Sequence, residues 1–195
     1  MSLHKIVNNY IFKRRIVYFY ALEYNKDISP NVLSFNLAEL DNNSFDKINY
    51  SEKLLLLINK RKGDAGWQVF IYLENNVVKG YSFLHLPKNI EWHDSLPTRN
   101  DEARTVSSFV EPDFRGIGIR GELLKSQKNF CLENKKKLWC VIEGTNTSSI
   151  KATQKAGVEK VRMNYLVKII GRNIFSILTN TLSFFFLWGE KRATR

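Results

Sequence analysis

The apolar residues of this chain come in short blocks divided by polar turns, and the period inside each block separates strand from helix. Residues 15–23 are β-branched and aromatic, which predicts a strand. The polar stretch 28–43 holds Pro30 and several Asn and Asp, with room for one short strand at 32–37. Asp41, Asn42, Asn43 and Ser44 offer helix caps, and 50–62 continues in helical composition around the apolar body 54–58 until Gly63 and Asp64 end it. Two strands follow at 67–73 and 77–84, joined by the polar hairpin turn Glu74-Asn75-Asn76. Their alternation is weak, as for strands covered on both faces. Residues 87–101, with Trp92, His93 and Asp94 among them, read as a polar loop. The remainder reads as strand 104–110, helix 121–134, strand 138–142, helix 148–156 and strand 161–170. The order is strand, helix, three strands, helix, strand, helix, strand. It predicts one α/β domain with helices packed on a central sheet.

Composition changes that picture in a few places. A chain of 195 residues with 44% hydrophobic and 13% aromatic content can bury a core of its own and is no disordered tail. The net charge of +11 is uneven: residues 151–195 carry nine basic and two acidic side chains. Such a region suits water, nucleic acid or an anionic membrane surface. The basic residues lack the aromatic interleaving of a nucleic-acid surface, so no nucleic-acid partner is expected. Residues 174–188 are apolar but short, and Thr, Asn and Ser interrupt them, which argues against a membrane span. They predict either a last strand or helix of the core, or an element lying on a membrane surface beside Lys168, Arg172, Lys191, Arg192 and Arg195. Residues 1–172 would then form the domain and 173–195 an extension to it. Cys131 and Cys140 read as small buried side chains in a reducing compartment. His4, His85 and His93 share no metal-ligand spacing with them, so no metal is expected. The first residues hold no apolar signal core, which predicts a cytoplasmic protein with the option of peripheral contact at the inner membrane surface.

The candidate chemistry lies at 109–124, where a strand end meets Pro112, a glycine-rich bend and a helix. Gly116, Gly118 and Gly121 leave backbone N–H groups unscreened, and the helix start adds unpaired donors and a positive dipole end. With Arg115 at the same edge, this is a candidate cradle for a pyrophosphate. The plainer alternative is a tight strand-to-helix turn. The spacing is neither that of a Walker A loop nor a clean dinucleotide fingerprint.

The segment Val110-Glu-Pro-Asp-Phe-Arg-Gly-Ile-Gly-Ile-Arg120 resembles motif A of the GNAT N-acetyltransferases, Arg/Gln-x-x-Gly-x-Gly/Ala. Arg115 and Gly118 match its first and fourth places, and Arg120 departs from its sixth. Asn146-Thr-Ser-Ser-Ile-Lys-Ala-Thr-Gln-Lys-Ala-Gly-Val158 resembles motif B of the same family. The pattern is similar to members from bacterial surface-polysaccharide pathways. The resemblance implies a single GNAT-like domain whose central sheet is mixed and mostly antiparallel.

It also implies acetyl-CoA as co-substrate and a primary amine as acceptor, an amino sugar or similar small metabolite. Protein N-acetylation, or a degenerate domain that binds CoA without turnover, are the alternatives, and a homodimer is an open option. By the same resemblance the backbone of Gly116, Ile117, Gly118, Ile119, Arg120 and Gly121 would hold the pyrophosphate. Phe109 and Val110 would pair with the pantetheine arm, and Asn146 and Ser149 would touch it. Glu102 and Glu143 are the candidate general bases, with His85 and His93 behind them. The family's motif B tyrosine, a general acid, is replaced by Thr153, which leaves Tyr165 or solvent for that task. Val158 stands where a Phe is usual.

Overall fold

The computed structural model describes residues 13–20, 29–40, 48–93, 96–169, 172–178 and 184–186. Strand β1 (Lys13–Tyr20) and strand β2 (Val32–Asn36) precede helix α1 (Glu52–Asn59). Strands β3 (Trp67–Glu74) and β4 (Val77–His85) form a hairpin whose central residues, Asn75 and Asn76, hold φ of 52° and 61°. Asparagine tolerates that left-handed region, which is why the polar turn sits there. A small hairpin of β5 (Glu91–His93) and β6 (Leu96–Thr98) follows, then β7 (Glu102–Val110) and a 3-10 turn (Pro112–Phe114). Helix α2 (Ile119–Glu133), strand β8 (Lys137–Glu143), helix α3 (Thr147–Lys155) and strands β9 (Glu159–Ile169), β10 (Arg172–Leu178) and β11 (Phe184–Phe186) complete the described chain.

Most elements lie where periodicity places them. One expectation is corrected: the polar loop 87–101 contains the β5–β6 hairpin. Each of its strands has three residues and one carries Pro97, too little for a period of two to register. The helix caps proposed at 41–44 fall outside the described residues, and α1 starts after Ser51. The 174–188 stretch contributes β10, paired with β9, and β11, paired with β10. Asp94 also lies outside the described residues.

Among the described residues, the sheet has nine strands in the order β11-β10-β9-β1-β8-β7-β4-β3-β2, and only the β7–β8 join is parallel. It is the mixed, mostly antiparallel sheet with flanking helices that the sequence predicts. Alternate residues of β3 and β4 feed two cores. Val69, Ile71, Tyr81 and Phe83 pack with Leu54 and Ile58 of α1 on one face. Phe70 and Leu84 pack on the other with Ile119, Leu123 and Leu124 of α2 and with Leu138, Cys140 and Ile142 of β8. Both faces being covered explains the weak alternation in the hairpin. Cys131 and Cys140 are free thiols, both buried, and burial pushes both upward in pKa. Among the described residues, no helix is long and apolar enough to cross a membrane.

Candidate active site

The parallel join is short. Strands β7 and β8 pair only from Glu102 to Thr105 and from Lys137 to Cys140. Beyond that point β7 stays with β4 up to Val110, while β8 stays with β1 up to Glu143. Two strands held by different neighbours must part, and they open a wedge of about 250 Å³. Thr105, Ser107 and Ser108 line it from β7, and Cys140, Val141, Ile142 and Glu143 from β8. Arg120 of α2 joins them, as do Asn146 and Ser149 at the start of α3. On the β8-facing side, residues 106–110 have no ladder partner, which leaves backbone donors and acceptors for a ligand.

A bulge sets the shape of the β7 wall. The register against β4 slips between Tyr81 and Phe83, so that Ser107 and Ser108 together oppose Ser82. Ser107 takes φ of 50°, a conformation that costs a non-glycine residue about 1 kcal/mol or more. Side chains from both faces hold it there. Arg61, in the turn after α1, donates to Ser107 Oγ at 3.3 Å from one face. From the other, Ser108 Oγ meets Ser82 Oγ at 2.6 Å, and Gln127 of α2 donates to Ser82 Oγ at 3.0 Å and to the Phe83 carbonyl at 3.1 Å. Gln127 Oε1 accepts from Thr105 Oγ1 at 3.1 Å, and Thr105 in turn lies 3.4 Å from Cys140 Sγ. The chain of contacts runs from the bulge to the point where the strands part.

The glycine bend sits beside the wedge. Gly116 and Gly118 hold φ of 86° and 98°, and Gly118 is the residue from which α2 starts. A Cβ added at Gly116, Gly118 or Gly121 would meet nothing within 4 Å, so the cradle is open. Ile119 is the buried anchor of the helix start, and Ile117 is exposed. Arg115 folds back: its Nε donates to the Val110 carbonyl at 3.1 Å and its guanidinium lies 5.6 Å from the Phe109 ring. Phe109 and Val110 pair with Tyr81 and Gly80 of β4. Asn146 caps α3, its Oδ1 accepting from the Ser149 N–H at 3.1 Å and from Ser148 Oγ at 3.1 Å. An open anion cradle thus lies at one end and a slot between strand edges at the other.

The two candidate bases part company. Glu143 lines the wedge. Glu102 lies at the closed end of β7, 8% exposed, with its Oε2 accepting from the Arg99 N–H at 2.8 Å. It closes a turn and does not reach the opening. His85 is buried, 4.3 Å from the Trp67 ring and 3.6 Å from Glu91 Oε2. The side chains of His93 and Tyr165 lie outside the described residues. Thr153 is fully buried, its hydroxyl without a hydrogen-bond partner and not among the wedge's lining groups. Thr105, Ser107, Ser108 and Cys140 line the wedge and Gln127 braces it, none of them marked by the sequence as site residues. A serine pair inside a strand carries no sign of a bulge. Among the described residues, no group of three or more His, Cys, Asp or Glu could hold a metal.

Several solved structures of similar shape are described as GNAT-family acetyltransferases. A GNAT-family protein from Novosphingobium aromaticivorans superposes with a TM-score of 0.54 at 11% identity, covering 78% of this chain and 61% of its own. A GCN5-related N-acetyltransferase from Sphaerobacter thermophilus gives 0.52 at 12% identity, covering 83% and 53%. A GNAT-family acetyltransferase from Colwellia psychrerythraea gives 0.50 at 13% identity, covering 83% and 59%. This chain therefore spans about three fifths or less of the length of these structures, and it shares their fold. No family model matches the sequence, and no curated protein does.

Proposed function

We propose that this protein is an N-acyltransferase that moves an acetyl group from acetyl-CoA to a primary amine. The observation that carries this reading is the short β7–β8 join, which opens into a wedge next to the glycine bend. The diphosphate would lie against the N–H groups of 116–121, where glycines keep the approach clear. The pantetheine arm would enter between the parted strands, its amides against the unpaired backbone of β7.

Acetyl transfer needs an amine with a free lone pair, so a base must take the ammonium proton, directly or through water. Glu143 lines the wedge and would serve as that base. Backbone N–H groups at the β7 bulge would polarise the thioester carbonyl. The amine then attacks that carbon, the carbon–sulfur bond breaks, and its electron pair leaves on sulfur. For the acceptor we favour an amino sugar or similar small metabolite. The net charge of +11 speaks against a basic peptide, and the motif resemblance to surface-polysaccharide enzymes supports a sugar.

Calorimetry with acetyl-CoA tests the reading, wild type beside Gly118→Trp. An indole in the open cradle, at a φ that only glycine adopts readily, is expected to lower affinity about 100-fold, ~2.7 kcal/mol. Free-thiol release with a panel of amino sugars and amines then identifies the acceptor. Absence of acetyl-CoA binding by the wild type would sink the acyltransferase reading.

A further inference from the structure

One charged group in the wedge, Arg120, has an Nε that finds no hydrogen-bond acceptor among the described residues. Arg120 stands in the first turn of α2, where a cation faces the positive end of the helix dipole. Its Nε is buried. Burial lowers the guanidinium's pKa, the direction expected of a charge taken from water without compensation. A half-buried cation at a helix N-terminus, with its Nε lacking an acceptor, is costly to hold, and a ligand that supplies negative charge would offset that cost. The diphosphate cradle is not that place. Gly116, Ile117 and Gly118 are all exposed at the outer edge, whereas Arg120 lines the wedge itself together with Cys140. Cys140 marks the last β7–β8 pair.

On the acyltransferase reading, the acyl donor is neutral along the whole arm that enters the wedge. From the donor, negative charge arises there only as the carbon–sulfur bond breaks, and by then Glu143 has taken up the amine's proton. We propose that Arg120 is a catalytic residue that stabilises the leaving thiolate of CoA by direct ion pairing. Of the wedge's lining groups, three can carry charge: Arg120 from α2, and Cys140 and Glu143 from β8. The walls from β7 and α3 contribute only hydroxyls and an amide. None of those alcohols is acidic enough to protonate a thiolate, so a fixed cation replaces an acid. The amine nitrogen gives its proton to the base, the thioester electron pair settles on sulfur opposite the guanidinium, and the thiolate takes a proton from water after release. Arg120 keeps all its protons throughout.

The test reads a thiol, not turnover. Free CoA is bound to the wild-type protein, and the thiolate absorbance in the ultraviolet is followed against pH. The expected result is a bound-thiol pKa lowered by about 1–3 units from that of free CoA. Arg120→Lys should keep part of that shift, and Arg120→Gln should abolish it. A bound thiol that titrates like free CoA in the wild type overturns the proposal whether or not the variants fold. So does a shift that survives in Arg120→Gln. A CoA affinity that falls in Arg120→Gln with the wild-type thiol unshifted would assign Arg120 to the diphosphate instead. Failure of CoA to bind the wild type at all removes the acyltransferase reading itself, an outcome the calorimetry registers separately.

Discussion

Glu143→Gln is expected to lower kcat for acetyl transfer roughly 10²–10³-fold, with acetyl-CoA affinity unchanged within a factor of a few. The amide keeps the size and the wedge wall but cannot take a proton from an ammonium. Glu143 ends β8 at the register pair with Arg15 of β1, so the strand that carries it is pinned on one side and free on the side of the wedge. Glu102→Gln is the matched control. Its carboxylate caps the turn at Arg99, and losing that charged acceptor should cost about 1–3 kcal/mol of stability while kcat stays within a few-fold of wild type. Thiol-release kinetics on the two variants side by side decide the assignment. A Glu143→Gln enzyme with wild-type kcat would remove the base from β8, and a collapse of kcat in Glu102→Gln would move it to the closed end of β7.

Gln127→Leu should be the most damaging single change to stability outside the apolar cores. Gln127 is fully buried and serves three groups at once: Ser82 Oγ, the Phe83 carbonyl and Thr105 Oγ1. Leucine fills the space but removes three buried hydrogen bonds, leaving Ser82 Oγ only Ser108 and Thr105 Oγ1 only the weak Cys140 contact, at ~1 kcal/mol each. The sum, about 3 kcal/mol, corresponds to a fall in Tm of roughly 6–12 °C for a chain of this size. Gln127→Glu separates the parts. It retains an acceptor for Thr105, loses both donated bonds, and buries a carboxyl group against the Phe83 carbonyl, so it should be no more stable than the leucine variant. Thermal melts followed by circular dichroism measure both. A leucine variant that melts with the wild type would show that the bulge holds itself.

The legible parts of this fold are those whose signal is local. The helix at 119–133 and the hairpin around Asn75 and Asn76 are written in short stretches of sequence, and so is the glycine bend. The wedge is not, because it depends on where pairing between β7 and β8 stops, and that is set by β4 pulling one strand and β1 the other. For the same reason Glu102 and Glu143 look equivalent as strand-end glutamates, until register puts one at the closed end and the other at the opening. Gln127 illustrates the third case. A glutamine in a helix reads as surface, and only the bulge it patches explains why it is buried.

Strand β1 has a consequence for how the molecule comes into being. Its partners are β8 and β9, so Arg15 waits for Glu143 on one side and for Asn164 on the other. On a ribosome the first strand emerges long before either neighbour exists, and it must stay unpaired and out of trouble while the rest of the sheet is made. Closing such long loops delays assembly, so the half of the molecule that carries Glu143 should be the last to set in refolding. An exposed aromatic strand in that interval is an opening for a chaperone or for aggregation.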